Sequence, residues 1–234
     1  MAERLALVTG ASRGIGAATA EALAAAGYHV IITARTVKDL EAVEDRIHNA
    51  GGSATIAPLD LIDGDSIGRL AGAVSERWGK LDLLVLNAAT LGSLTPVPHI
   101  DHKEFARVLT LNVGAQAALI AAFDGALRKS DAAKVIGITS SVGAKPRAYW
   151  GAYGASKAAF DTLLGSYAEE NENIGPIAVA ILDPGATRTK MRERAFPGED
   201  PQSVKPPEAV ARRIVELAQS EWKSPLRERV NDEF

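Results

Sequence analysis

Short aliphatic or β-branched runs recur along the chain as LALV (5–8), HVIIT (29–33), SATIAP (53–58), LDLLVLN (81–87), KVIGIT (134–139) and IAVAIL (177–182), with longer amphipathic stretches between them. Runs this brief and this apolar predict strands buried on both faces, and the stretches near 14–26, 37–50, 64–78, 103–129 and 152–173 have helical periodicity. A parallel pairing needs a long crossover, so this alternation predicts an α/β fold, a parallel sheet with helices on both faces. Right-handed crossovers make that sheet doubly wound. At 234 residues, 47% of them hydrophobic, the chain fits a single domain over 1–234. Residues 185–207, charged and rich in Gly and Pro, break the rhythm before a last helix near 208–220 and read as a long loop suited to a substrate lid.

Composition removes several function classes. A net charge of −3 provides no broad basic surface, so neither nucleic acid nor an anionic membrane is expected as a partner. The absence of cysteine excludes disulfides and thiolate metal sites, and His29, His48, His99 and His102 are too scattered for a zinc centre; no metal is expected. Strand-like sequence from Leu5 leaves no room for a signal peptide, and no apolar run approaches the ~20 residues of a membrane span, so a cytoplasmic location is expected.

The segment LALVTGASRGIGAATAEALAAAG runs from strand to helix with Gly10, Gly14 and Gly16 at the turn. Glycine there admits a pyrophosphate close to the backbone, and the helix N-terminus offers free N–H groups and a positive dipole end. An NAD ribose calls for a carboxylate about 20 residues beyond such a loop. Thr33, Ala34 and Arg35 stand there instead. Arg35, with Arg13 from the loop itself, suits a 2′-phosphate, so NADP(H) is the preferred cofactor and NAD(H) the second candidate.

Tyr153 and Lys157 in GAYGASKAAF share a helical face at i,i+4. A free phenol titrates near pH ~10, and an adjacent ammonium would lower that value. Taken alone the spacing also suits a surface pair. Its company decides, because TGASRGIG at 9–16, Asp60, NAA at 87–89, Asn112, Ser140, YGASK at 153–157 and PGATRT at 184–189 follow in order. On these residues, over roughly 4–191, the chain resembles the compact single-domain branch of the short-chain dehydrogenase/reductase family, including its 3-oxoacyl-acyl-carrier-protein reductases.

The resemblance implies a Rossmann-type sheet and an NADPH-dependent oxidoreductase acting on a ketone, aldehyde or 3-oxoacyl group. It makes Tyr153 the general acid, Lys157 the cation that lowers the Tyr153 pKa and holds the nicotinamide ribose, Ser140 the donor to the substrate oxygen, and Asn112 an anchor for a relay to Lys157. Ser141 is the alternative to Ser140. Cofactor binding falls to Gly10, Ser12, Arg13, Gly14, Ile15, Gly16, Arg35, Asp60, Leu61, Asn87, Ala88, Tyr153, Lys157, Pro184, Gly185, Thr187 and Thr189. Asp60 could equally cap the following helix. Tyr149, Trp150, Leu91, Met191 and Phe196 are candidates for an apolar pocket wall.

Two features depart from the family pattern. Ala89 stands where a glycine is usual, and the tail SPLRERVNDEF lacks the glycine pair of tetrameric relatives, which puts a seventh strand and the usual tetramer in doubt. A homodimer through the helices near 103–129 and 152–173 is expected by analogy, with a homotetramer as the alternative. Glu169, Glu170 and Glu172 would repel an acidic carrier protein although Arg128, Lys129, Lys145 and Arg147 could attract one, so carrier docking is not favoured. An NAD-dependent alcohol or steroid dehydrogenase is argued against by Arg35. A redox-silent nucleotide sensor is argued against by the intact Tyr153–Lys157 pair.

Overall fold

A computed structural model describes residues 4–231. Seven parallel strands run in the order β3-β2-β1-β4-β5-β6-β7. They are β1 (Arg4–Thr9), β2 (Tyr28–Thr33), β3 (Ser53–Ile56), β4 (Leu83–Leu86), β5 (Lys134–Ile138), β6 (Ala178–Asp183) and β7 (Leu226–Arg229). The seventh strand, in doubt from the sequence, is present and pairs parallel with β6 in the register Ala180↔Leu226. It is carried by alternation, which the search for apolar runs passes over: Leu226 and Glu228 are half-buried, Arg227 and Arg229 exposed. Charged side chains suit this edge position, where they discourage pairing with another sheet.

The helices, numbered in chain order, form two layers. On one face α1 (Gly14–Ala25), α2 (Val37–Asn49) and α9 (Pro207–Gln219) cover Val8, Ile32, Val85 and Ile136 with Leu23, Leu40 and Ile214. The other face carries α3 (Gly64–Trp78), α5 (Ala115–Leu127) and α7 (Gly151–Asn171), which cover Leu7, Leu84 and Val135 with Ile67, Phe123 and Phe160. Neighbouring strand residues supply opposite layers, and each fully buried Leu, Ile or Phe contributes about 1.5–3 kcal/mol. Asp63, not Asp60, caps α3, its carboxylate accepting from the Asp65 amide at 3.1 Å.

The expected helix near 103–129 is α4 (His102–Leu109), a π turn over Thr110–Gly114, and α5 in one continuous stretch. This stretch of 26 residues is, by length and hydropathy, long and apolar enough to cross a membrane, contrary to the reading that no such segment exists. Its apolar residues Leu119, Phe123 and Leu127 are wholly buried in the core, although only about a third of the apolar window is buried. Residues 185–207 hold more structure than a loop: α8 (Lys190–Ala195) and a 3-10 turn at Pro201–Ser203. A parallel bridge between Thr187 and Lys205 closes the excursion at its base.

Gly137 sets the depth at which α7 lies. A Cβ there would stand 2.2 Å from Leu164 Cδ1 and 2.9 Å from the Phe160 ring, so its absence lets α7 sit directly on β5. That approach brings Tyr153 and Lys157 to the carboxyl edge of the sheet.

Candidate active site

The carboxyl ends of the strands open into one cleft of about 1010 Å³. It lies where the strand order reverses between β1 and β4, the position at which open parallel sheets bind ligands. Of the catalytic and cofactor-binding residues expected at the site, all but Gly16 and Asn112 line it.

At the nucleotide end, β1 turns into α1 through Gly10 and Gly14, both at positive φ. Arg13 precedes α1 without a side-chain cap, and no acidic residue occupies the first turn. The free N–H groups and dipole end therefore face the cleft, which suits an anion. Gly16 has a packing role. Its Cβ would stand 2.3 Å from the Gly10 carbonyl oxygen and 2.6 Å from Asn87 Nδ2, so glycine lets the helix close on the loop. The Asn87 amide in turn donates to the Thr9 and Gly10 carbonyls at 2.8 and 3.3 Å and locks the loop against β4. Arg35 and Asp60 stand on the walls of this end. The Asp60 carboxylate accepts from the Ile62 amide at 3.1 Å and closes a turn.

At the other end, Ser140 follows β5, and Tyr153 and Lys157 project from the first turns of α7. Ser141 is exposed and does not line the cleft, whereas Ser140 does. Tyr153 is buried against Leu91 and Val142, with Trp150 edge-on to its ring at 6.0 Å. Lys157 is buried too, its amine 5.7 Å from the Tyr153 ring centroid and donating at 2.7 Å to the Ile138 carbonyl. Burial is the dominant electrostatic influence on both groups. It drives the Tyr153 phenol above its ordinary value, with the Asp183 charge adding to the effect, and pushes the Lys157 amine down to about 8 against the pull of Asp161. The sequence reading had Lys157 lowering the phenol. In the free protein burial and the Asp183 charge govern the phenol instead, and both act to raise it.

The hydrogen bonds of Asn112 run to Thr90 and Ser156. Buried in the π turn, it accepts from the Thr90 amide at 2.8 Å and donates to the Thr90 carbonyl at 2.9 Å and to Ser156 Oγ at 3.0 Å. It thus ties the loop after β4 to α7 one helical position away from the reactive pair. Gln116, which the sequence reading missed, supports the same loop by donating to the Ala88 carbonyl at 3.1 Å.

Leu91, Trp150, Met191 and Phe196 line the cleft as an apolar wall, while Tyr149 is 60% exposed, outside it and at φ 71°. Trp150 and Phe196 pack with ring centroids 5.7 Å apart, and the Arg192 guanidinium lies 3.7 Å over Phe196 while pairing bidentately with Glu199. Pro184, Gly185, Thr187 and Thr189 join this wall to the nucleotide end, Thr189 also capping α8 by accepting from the Arg192 amide at 3.1 Å. Sequence reasoning also missed Thr36, Asp39, Arg107 and Asp183 in the lining. Asp183, just ahead of the Pro184–Gly185 motif, had the most accessible signal.

The comparisons agree with this geometry. The short chain dehydrogenase family model matches residues 4–200. The uncharacterized oxidoreductase YciK of Escherichia coli strain K12 is 36% identical over 208 residues, 88% of this chain and 82% of that protein. A short chain dehydrogenase structure from Salmonella enterica serovar Typhi superposes with a TM-score of 0.93 at 33% identity, covering 97% of this chain and 96% of the other. A metagenomic short-chain oxidoreductase solved in complex with NADP gives a TM-score of 0.83 at 33% identity, covering 97% of both chains. A family model spanning most of the chain, a relative matched along most of its length and the cleft at the strand reversal converge on one assignment: the chain is an oxidoreductase of the short-chain dehydrogenase family.

Proposed function

We propose that the protein is an NADPH-dependent reductase of a ketone, aldehyde or 3-oxoacyl group, with Tyr153 as the proton donor. One observation carries the reading: a buried phenol shares a cleft with an uncapped helix N-terminus flanked by Arg13 and Arg35. The chain's own residues fit the cofactor. Gly10, Ser12, Gly14 and Ile15 would hold the pyrophosphate, Arg13 and Arg35 the 2′-phosphate, Asp60, Leu61, Asn87 and Ala88 the adenosine, and Lys157 with Pro184, Gly185, Thr187 and Thr189 the nicotinamide end. When bound, the nicotinamide supplies the hydride.

Ser140 donates a hydrogen bond to the substrate oxygen and orients it toward Tyr153. Tyr153 delivers its proton to that oxygen as negative charge develops there. Lys157 places positive charge behind the phenolate that remains. The raised phenol in the free protein favours the protonated, reducing form at neutral pH. Leu91, Trp150, Met191 and Phe196 exclude water and select substrates with an apolar group beside the carbonyl. Residues 185–207 act as the lid over this wall.

A panel of ketones, aldehydes and 3-oxoacyl thioesters, scored for consumption of NADPH and of NADH, tests the proposal. Turnover of an apolar carbonyl with NADPH at least about tenfold more efficient than NADH is the expected result. Equal efficiencies would reject the cofactor preference, and oxidation of alcohols by NAD without any carbonyl reduction would reject the direction.

A further inference from the structure

The face of α7 that presents Tyr153 and Lys157 continues, at the same i,i+4 step, to Asp161. All three belong to one stripe laid on the end of β5. Lys157 donates to the Ile138 carbonyl, and Asp161 accepts a hydrogen bond from the hydroxyl of the next residue, Thr139. The two side chains are thus docked on the last residue of β5 and the residue that follows it. Lys157 is 3% exposed and the Asp161 side chain 15% exposed, so their charges interact through protein rather than through water.

Asp161 also meets the C-terminal strand. Arg227 of β7 places Nη1 3.8 Å from the Asp161 carboxylate and donates from Nη2 to the Asp161 carbonyl at 3.4 Å. Two residues on, Arg229 pairs with Asp183 at 2.9 Å, and Asp183 bears on Tyr153. Side chains two apart on a strand share a face, so β7 offers one cation to each of the two carboxylates flanking the reactive pair.

We propose that Asp161 is a positioning residue that keeps the Lys157 amine charged, and that Arg227 on the C-terminal strand moderates it. The proposal rests on the reading of Lys157 as the cation beside the proton donor. Burial alone pulls the amine toward its neutral form, and the Asp161 carboxylate opposes this. The other groups beside Lys157 are the Tyr153 and Phe160 rings of α7 and the Ile138 carbonyl of β5, while Asp183 of β6, which bears on Tyr153 and on Asp161, is offset by Arg229. The short helix α6 (Ser141–Ala144), which packs against Lys157, brings no ionisable side chain. Asp161 is therefore the carboxylate through which a change on β7 reaches the amine.

The test is a pH titration of the free protein carrying lysine labelled with carbon-13 at Cε, the Lys157 resonance being identified by its loss in Lys157→Arg. The wild-type amine should titrate near 8. Asp161→Asn should lower its midpoint by roughly one pH unit, the lower end of what an opposite charge contributes at such range, and Asp161→Glu should restore it. Arg227→Gln should move it the other way, upward by a few tenths of a unit, because the carboxylate then acts unshared. Arg227 is exposed, so this variant folds even where Asp161→Asn does not. Opposite shifts support the proposal, whereas an unmoved midpoint, or two shifts of the same sign, overturns it. The alkaline limb of kcat/KM for carbonyl reduction should follow the same order. Because the titration needs no turnover, a chain that reduces no carbonyl would defeat the proposed function and leave this result standing.

Discussion

Ser140 and Ser141 are adjacent in sequence and differ in fate. Only the first lines the cleft, so Ser140→Ala should lower kcat about 10²–10³-fold by removing a donor to the developing oxyanion, and Ser141→Ala should leave it within about twofold. Steady-state kinetics on a responsive carbonyl separates the two. Arg35 faces a different test. A hydrogen bond to a charged group contributes about 1.5–3 kcal/mol, so Arg35→Ala should weaken NADPH about 10–100-fold in a fluorescence titration and change NADH by less than about threefold. Equal losses for both cofactors would remove Arg35 from the 2′-phosphate. At this scale the Tyr153–Lys157 pair and the glycine loop were legible because helical spacing and strand-to-helix turns are local. The partners of Asn112 were not. They come from Thr90 and Ser156, 22 and 44 residues away, and only the packed fold brings them together.

Among the elements, α7 carries Tyr153 and Lys157 and lies on β5, which leads to Ser140, and the separation of the two is set by a missing side chain. Gly137→Ala puts a methyl into space held by Leu164 and Phe160, and overpacking of this kind costs about 1–3 kcal/mol. Thermal unfolding should begin roughly 2–10 °C lower, and kcat should fall more than KM rises because α7 is lifted with Tyr153. A variant as stable and as active as the wild type would show that α7 can slide without consequence. The strands and helices were readable because buried parallel strands are uniformly apolar and amphipathic helices are periodic. Strand β7 escaped because its signal is two exposed arginines alternating with a leucine and a glutamate that pairs with Arg213 of α9 at 2.7 Å. The π turn in the helix from His102 to Leu127 escaped as well, since nothing in TLNVG announces a widened turn.

For the whole molecule, the relevant charge is local to the cleft rather than the net value of −3. The raised Tyr153 phenol stays protonated through neutral pH, whereas the Lys157 ammonium, pushed down to about 8, is lost as pH rises past that value. Reduction should therefore hold level below about pH 8 and decline above it, with kcat/KM reporting the free-enzyme groups. An alkaline limb that begins only near the ordinary lysine range would mean that Lys157 is not the titrating cation. Assembly is a separate question, for which light scattering should give two or four times the chain mass if the homo-oligomer expected from the resemblance forms. Tyr153→Phe addresses the proton itself most directly, since it removes one hydroxyl and leaves the ring packed against Trp150. Carbonyl reduction should fall at least about 10²-fold while the NADPH dissociation constant stays within about threefold; a variant retaining more than about a tenth of wild-type turnover would contradict Tyr153 as the acid.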